Sequence, residues 1–407
     1  MPNTGNVERV APCAINPFAL AELVRGKRIA WKRMVDPRRE VARLLGMSWS
    51  DLLDPARSPI FLSRQRPKAN DASTAERTQS LFRKLEIGLD VVPLAPSVLD
   101  LTERLAPAAA RRVLGALLPM FARSSSGDWT GDGMAWEDVG DFFEEGTELS
   151  DPIQGATADC YLIAALSSIA WARPYAIVQR NRATGGSQDD YVNRIDFFPD
   201  QMVSVEVTER LPTNQTSHAL VYARSSESGE IWPGIYEKAY AKWKAGATGD
   251  MPNIAGVIGN GGDPATAAAE ITGLKATRIA TSSKSGHDLY QTIRAHCAGR
   301  RTFDPMMACT YPTTDGGNPP SKGEYDDVGL VQWHCYSVLG WDYVDEKEYV
   351  VLRNPWGYQE ATAHVHTGTW FAQNVSFWQA IALGSQGVFA LEADTFQKYF
   401  SELSFVA

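Results

Sequence analysis

DPIQGATADCYLIAALSSIAW, residues 151–171, is the stretch on which the fold turns. Cys160 opens an apolar run, Tyr161 to Trp171, with few breakers and several Ala and Leu. The run predicts a buried helix beginning at about Ala158. A thiol at a helix N-terminus feels the positive end of the macrodipole, which favours thiolate. Gln154, six residues upstream, can offer its amide NH2 to a developing oxyanion together with the Cys160 backbone N–H. Taken alone, a Cys in this position is ordinarily a small buried hydrophobe.

A second stretch changes that balance: GLVQWHCYSVLGWDYVDEKEYVVLRNPWG, residues 329–357. His334 to Tyr343 and Glu348 to Asn354 read as strands, with Asp345, Glu346 and Lys347 as the turn between them. Folded as an antiparallel hairpin, they place position 334 opposite roughly 354 to 357. His334 and Asn354 then become neighbours. A Cys, a His and an Asn suffice for thiol catalysis: the His removes the proton and the Asn oxygen fixes the ring. Trp356 is expected to shield that contact from water.

These segments resemble the calpain family of papain-like cysteine proteases. QGATADCYLIAAL (154–166) is similar to that family's nucleophile motif, and HCYSVLG (334–340) and LRNPWG (352–357) to its His and Asn motifs, in the same order. ERLPTNQTSHALVYARSSESGEIWPGIYEKAYAKW (209–243) and GVFALEADTFQKYFSEL (387–403) resemble two structural segments of the core. The resemblance covers about 151 to 403. It implies an α+β fold with a helical lobe and a β-rich lobe, and an endopeptidase acting on protein or peptide substrates. It assigns catalysis to Cys160, His334, Asn354 and Gln154, with Trp356 in support. No cofactor is required for such chemistry, but the family binds calcium in its core. Asp151 and Glu237 stand where the first site's carboxylates are expected, and Glu360 matches one acid of the second. The other acids of that second site are missing, since WFAQ (370–373) and GSQGV (384–388) lack them, so two-site calcium control is not expected. Ala158 and Tyr161 stand where the family usually has Gly and often Trp.

The rest of the chain bounds this reading. Of 407 residues, 44% are hydrophobic and 21% charged, which suits a globular protein of two or three compact units. The domain map expected is a basic, mainly helical extension at 1–125, an acidic Gly/Ser linker at 126–146, a Cys lobe at 147–273 and a His/Asn lobe at 274–405. Residues 1–126 carry 20 Lys and Arg against 12 Asp and Glu, and the remainder 19 against 36. Such opposite charges suit docking of the leader on the protease, and nucleic acid is not expected as a partner. The acidic residues of the linker do not follow the spacing of an EF-hand loop. Residues 310–328 read as a turn-rich loop that could gate the cleft. His364 and His366 alternate on a strand-like run without a third ligand nearby.

Five cysteines without paired spacing give no sign of a disulfide framework or zinc site. With no signal peptide or membrane span in the sequence, that count points to a reducing, cytoplasmic setting. Two rival functions are a catalytically silent calpain-like binding module and a transglutaminase-like acyl transferase. The complete Cys160, His334, Asn354 and Gln154 set disfavours the first. Asn354 in place of Asp, and the order of the surrounding motifs, disfavour the second.

Overall fold

The computed structural model describes residues 128–143, 146–183, 192–311, 320–373 and 378–407, with positions 80, 83 and 84 besides. The helical region expected at 1–125, those three positions apart, and the centre of the expected gating loop, 312–319, lie outside the described residues. In chain order the first half comprises β1 (Met134–Asp138), α1 (Cys160–Ala172), α2 (Pro174–Arg180), β2 (Asn181–Ala183), β3 (Val192–Phe197), β4 (Val203–Thr208), β5 (Arg210–Asn214), α3 (Trp232–Ala245), α4 (Ile254–Ile258) and α5 (Pro264–Thr272). The second half comprises β6 (Ala276–Ala280), α6 (Gly286–Ala295), β7 (Cys297–Ala298), β8 (Arg301–Thr310), α7 (Lys322–Val328), β9 (Cys335–Val344), β10 (Lys347–Arg353), β11 (Val365–His366), β12 (Gly368–Gln373), β13 (Trp378–Leu383), β14 (Val388–Glu392), α8 (Ala393–Tyr399) and β15 (Phe400–Val406). Helices and small sheets precede one large antiparallel sheet, ordered β11-β14-β10-β9-β8-β15-β6.

Helix α1 is the hub. It is apolar on all sides, so it is buried on all sides, from Cys160 to Trp171. Its few polar side chains must then find partners inside. Ser168 Oγ donates to Met306 O at 2.8 Å and Trp171 Nε1 to Leu339 O at 2.7 Å, while Ser337 Oγ donates back to Ala164 O at 2.8 Å. These bonds dock the helix on β8 and β9, fixing Cys160 against the strand that starts next to His334.

Within the acidic stretch expected as a linker, residues 128–143 and 146 are described, and a strand forms there. β1 pairs antiparallel with β5, Met134 opposite Asn214, and Met134 and Phe142 are buried in the core around α1. Gly and acidic residues dominate its composition and mask the few apolar side chains that anchor it. Around α3, local chemistry agrees with the packing. Pro233 suits the first turn, Gly246 closes the helix at φ +61°, and Lys242 and Lys244 lie at its negative end. Asp263 caps α5, accepting N–H bonds from Ala265 and Thr266.

The β9–β10 hairpin forms as expected, with a tighter turn. Asp345 and Glu346 alone occupy it, at φ +50° and +61°, the pair of positive values a two-residue connection needs. Lys347 opens β10, opposite Val344. A bulge at Val351/Leu352 then shifts the register, so that Arg353 faces Ser337. Among the described residues, no helix is long and apolar enough to cross a membrane.

Candidate active site

Cys160 is the first residue of α1 and is buried. The backbone N–H of Cys335, at the start of β9, donates to its Sγ at 3.3 Å. This bond spans 175 residues of sequence and brings the two halves of the site together. Asp159, at the cap position of α1, makes no side-chain cap. Its carboxyl instead meets that of Glu237 on α3 in a fully buried pair. Burial raises both groups above the ordinary carboxylate range, and the charge of Asp159 raises Glu237 further. The pair therefore favours keeping a proton, and the two oxygens of Glu237 also accept the Ala223 N–H, each at 3.1 Å.

The His–Asn contact determines which imidazole nitrogen carries the proton. His334 Nε2 lies 2.8 Å from Asn354 Oδ1. The amide cannot be turned round, because Asn354 Nδ2 donates to Gln359 O at 3.0 Å and the Trp356 N–H donates to Oδ1 at 3.0 Å. An acceptor facing Nε2 requires the proton on Nε2, so Nδ1 carries the lone pair. Nδ1 is buried and has no hydrogen-bond partner among the described residues. Burial pulls the His334 pKa down to about 3, against the upward effect of the Asn354 bond, so the ring rests neutral. Trp356 covers the pair, its ring centroid 4.8 Å from that of His334.

Gln154 is buried, with Nε2 donating to Thr157 O at 2.7 Å and its backbone N–H donating to Pro355 O at 2.9 Å. The second bond joins the Gln154 segment to the Asn354–Gly357 turn. Gly155 is required beside it, because a Cβ there would lie 2.2 Å from the Tyr222 backbone. Arg353 completes the joint. Its buried guanidinium donates to Pro152 O (2.9 Å), Ser150 O (2.7 Å) and Ser167 Oγ (3.0 Å).

The model for the calpain family cysteine protease matches residues 121–407. The chain belongs to the calpain family of cysteine proteases. Among curated proteins it is similar to a thiol protease of Porphyromonas gingivalis, 27% identical over 62% of this chain and 54% of that one. It is also similar to human calpain-8, 28% identical over 53% of this chain and 29% of that one. Mouse calpain-1 catalytic subunit is 30% identical over 53% and 28%. The matches therefore span about half of the bacterial relative and under a third of these calpains. Membership carries with it the papain-like α+β core that the sequence led us to expect.

Acidic groups gather before and after α1. The carboxylate that acts on Glu237 is Asp159, while those acting on Asp151 are Glu230 and Glu148. The carboxylates that do converge are Glu148, Asp151 and Glu227, with oxygens within 4.8 Å of one another. Asp151 Oδ1 is buried without a hydrogen-bond partner, and burial raises the group to about 7. Glu360, the lone acid of the expected second site, accepts the Gly387 N–H at 2.7 Å. His364 lies 3.7 Å from Glu392.

Two features escaped sequence reasoning. Cys309 and Cys335 form a disulfide between directly paired positions of β8 and β9, contrary to the expectation of no bridges. Their 26-residue separation follows no recognisable spacing. The bridge also removes the reason that the cysteine count gave for a reducing compartment. Thr310 holds the His334 segment from β8: its Oγ1 accepts the His334 N–H at 3.0 Å and its own N–H donates to His334 O at 2.9 Å. A Thr at the end of an apolar strand carries no signal for that role.

Proposed function

We propose that this chain is a calpain-like endopeptidase that cleaves protein substrates by acyl transfer through Cys160. The observation that carries the reading is the His334 ring, held by Asn354 with Nδ1 bare, one residue from the N–H that touches the Cys160 sulfur. The neutral imidazole takes the thiol proton at Nδ1, and the thiolate attacks the substrate carbonyl carbon. Negative charge moves to the carbonyl oxygen, where the Cys160 N–H and the Gln154 amide donate to it. The bond from Gln154 to Thr157 fixes the plane of that amide in advance. Collapse of the intermediate expels the amine, which leaves with the proton from Nδ1. A water molecule, deprotonated by the same nitrogen, then releases the acid and restores the thiol. Asn354 accepts from Nε2–H throughout and keeps the ring from rotating.

Calcium, when bound, would supply charge and a fixed loop geometry rather than chemistry. Glu148, Asp151 and Glu227 fit such an ion, since they offer only oxygen and one buried oxygen has no other partner. Opposite charge on the two parts of the chain supports docking of residues 1–126 on the protease core. A test by truncation should cut before residue 128, because a cut near Gly146 would delete β1. A cytoplasmic location rests only on the sequence features already given.

The deciding experiment is casein hydrolysis by the full chain and by Cys160→Ala, each with excess calcium and with chelator. Hydrolysis by the parent and none by the variant is expected. Hydrolysis that survives Cys160→Ala would overturn the reading. Loss of parent activity in chelator would place the acidic cluster in control of the site, and indifference would remove calcium from the account.

A further inference from the structure

We propose that the Cys309–Cys335 disulfide is a positioning device for the Cys160 thiol, so that the bridged chain is the more active form. The inference rests on Cys160 being the nucleophile. Cys335 follows His334 directly and is the first residue of β9, where a strand would otherwise fray. Its N–H is the donor to Cys160 Sγ. On β8, Cys309 stands opposite Cys335, and its neighbour Thr310 grips the backbone of His334 on both sides. Two consecutive residues of β8 thus clasp His334 and Cys335, one by hydrogen bonds and one by a covalent bond.

The sulfur atoms are on the side of the sheet that faces α1. Cys335 and Ser337 share a face of β9, and Ser337 Oγ donates to Ala164 O of that helix. Cys160, Cys309 and Cys335 all belong to the core cluster around α1, at 0%, 4% and 0% exposure. A hydrogen bond from N–H to sulfur strengthens when the sulfur becomes anionic. Holding the donor in place therefore favours thiolate, in addition to the helix dipole. Opening the bridge takes two electrons and two protons from a dithiol, which leaves as its own cyclic disulfide. Two cysteine thiols remain, and the start of β9 is then held by Thr310 and the β8–β9 ladder without a covalent link.

The coupling sets opposite redox demands on neighbouring cysteines. The nucleophile must be reduced, yet the neighbouring pair must stay oxidised. A gentle monothiol that restores Cys160 and spares the buried bridge should give more activity than a strong dithiol.

The test uses the full chain and a Cys309→Ala/Cys335→Ala double variant. Peptide mass analysis after alkylation without reductant should find Cys309 and Cys335 protected in the parent. The rate of Cys160 alkylation by iodoacetamide is then followed against pH. The double variant should move the midpoint up by about one pH unit and lower kcat about tenfold, with KM little changed. Leu289→Ala, a core truncation in α6, serves as a control that lowers thermal stability without moving the midpoint. An unmoved midpoint in the double variant, despite a lower melting temperature, would make the bridge purely structural and overturn the proposal. So would alkylation of Cys309 and Cys335 in the unreduced parent. Should the double variant fail to fold, the same alkylation profile on the parent before and after dithiol treatment decides. Cys160→Ala separates the two readings, because hydrolysis that persists there refutes the nucleophile and not the bridge.

Discussion

One side-chain oxygen sets the chemistry of the site. Asn354 Oδ1 accepts from both His334 Nε2 and the Trp356 N–H, while its Nδ2 is committed to Gln359 O. The amide is thus held by three bonds, and the imidazole has one tautomer. Asn354→Ala should leave the thiol in place but free the ring to turn. The expected outcome is a fall in kcat of about 10²-fold with little change in KM, read from steady-state hydrolysis of a peptide substrate. A loss confined to KM would mean that Asn354 serves substrate binding instead. This contact was legible in the sequence because it is local: a hairpin of two short strands is enough to bring positions 334 and 354 together. The bond between Cys335 and Cys160 was not, since no local rule links residues so far apart.

At the scale of elements, the site is a seam between α1 and the β9–β10 hairpin. Arg353 closes it from the hairpin side. Its charge is fully buried among neutral oxygens, and burial lowers its pKa to about 10 although Asp151 acts to raise it. Arg353→Ala would leave the carbonyls of Ser150 and Pro152 without their donor. Unfolding free energy should fall by about 2–4 kcal/mol in urea denaturation. A change under about 0.5 kcal/mol would mean that water replaces the guanidinium. Sequence motifs locate such elements without saying which way their side chains turn. The EKAYAK segment was rightly read as helix, but α3 directs Glu237 inward to Asp159. Glu230, just before the helix, and Glu148 both act on Asp151. Composition misled in the same way at 134–138, where acidic and small residues concealed a strand.

Across the whole molecule, buried ionisable groups pull stability in opposite directions with pH. His334 has a folded-state pKa of about 3, below its ordinary 6.5, so its contribution is complete above pH 6.5 and is lost as the pH falls toward 3. Asp159, Glu237 and Asp151 are raised by burial, Asp151 to about 7. Their contribution is complete below the ordinary carboxyl range and is lost as the pH rises through the raised values. Stability should therefore decline on both sides of a mildly acidic optimum. Glu237→Gln keeps a hydrogen-bond donor toward Asp159 and removes the proton that titrates. Denaturation at pH 5 and pH 8 should show a smaller loss between the two pH values for the variant than for the parent. An equal loss would place the pH response elsewhere.

The order of strands has a consequence for biosynthesis. β15 lies inside the large sheet, between β8 and β6, and pairs Phe405 with Met306 and Phe400 with Thr310. The segment that grips His334 is therefore supported by a strand that leaves the ribosome long after Cys160, His334 and Asn354. Until residues 400–406 emerge, β8 has an open edge where its partner should be. Translation at roughly 5–20 residues per second makes this an interval of seconds. A growing chain thus carries Cys160, His334 and Asn354 before the sheet that holds them is complete.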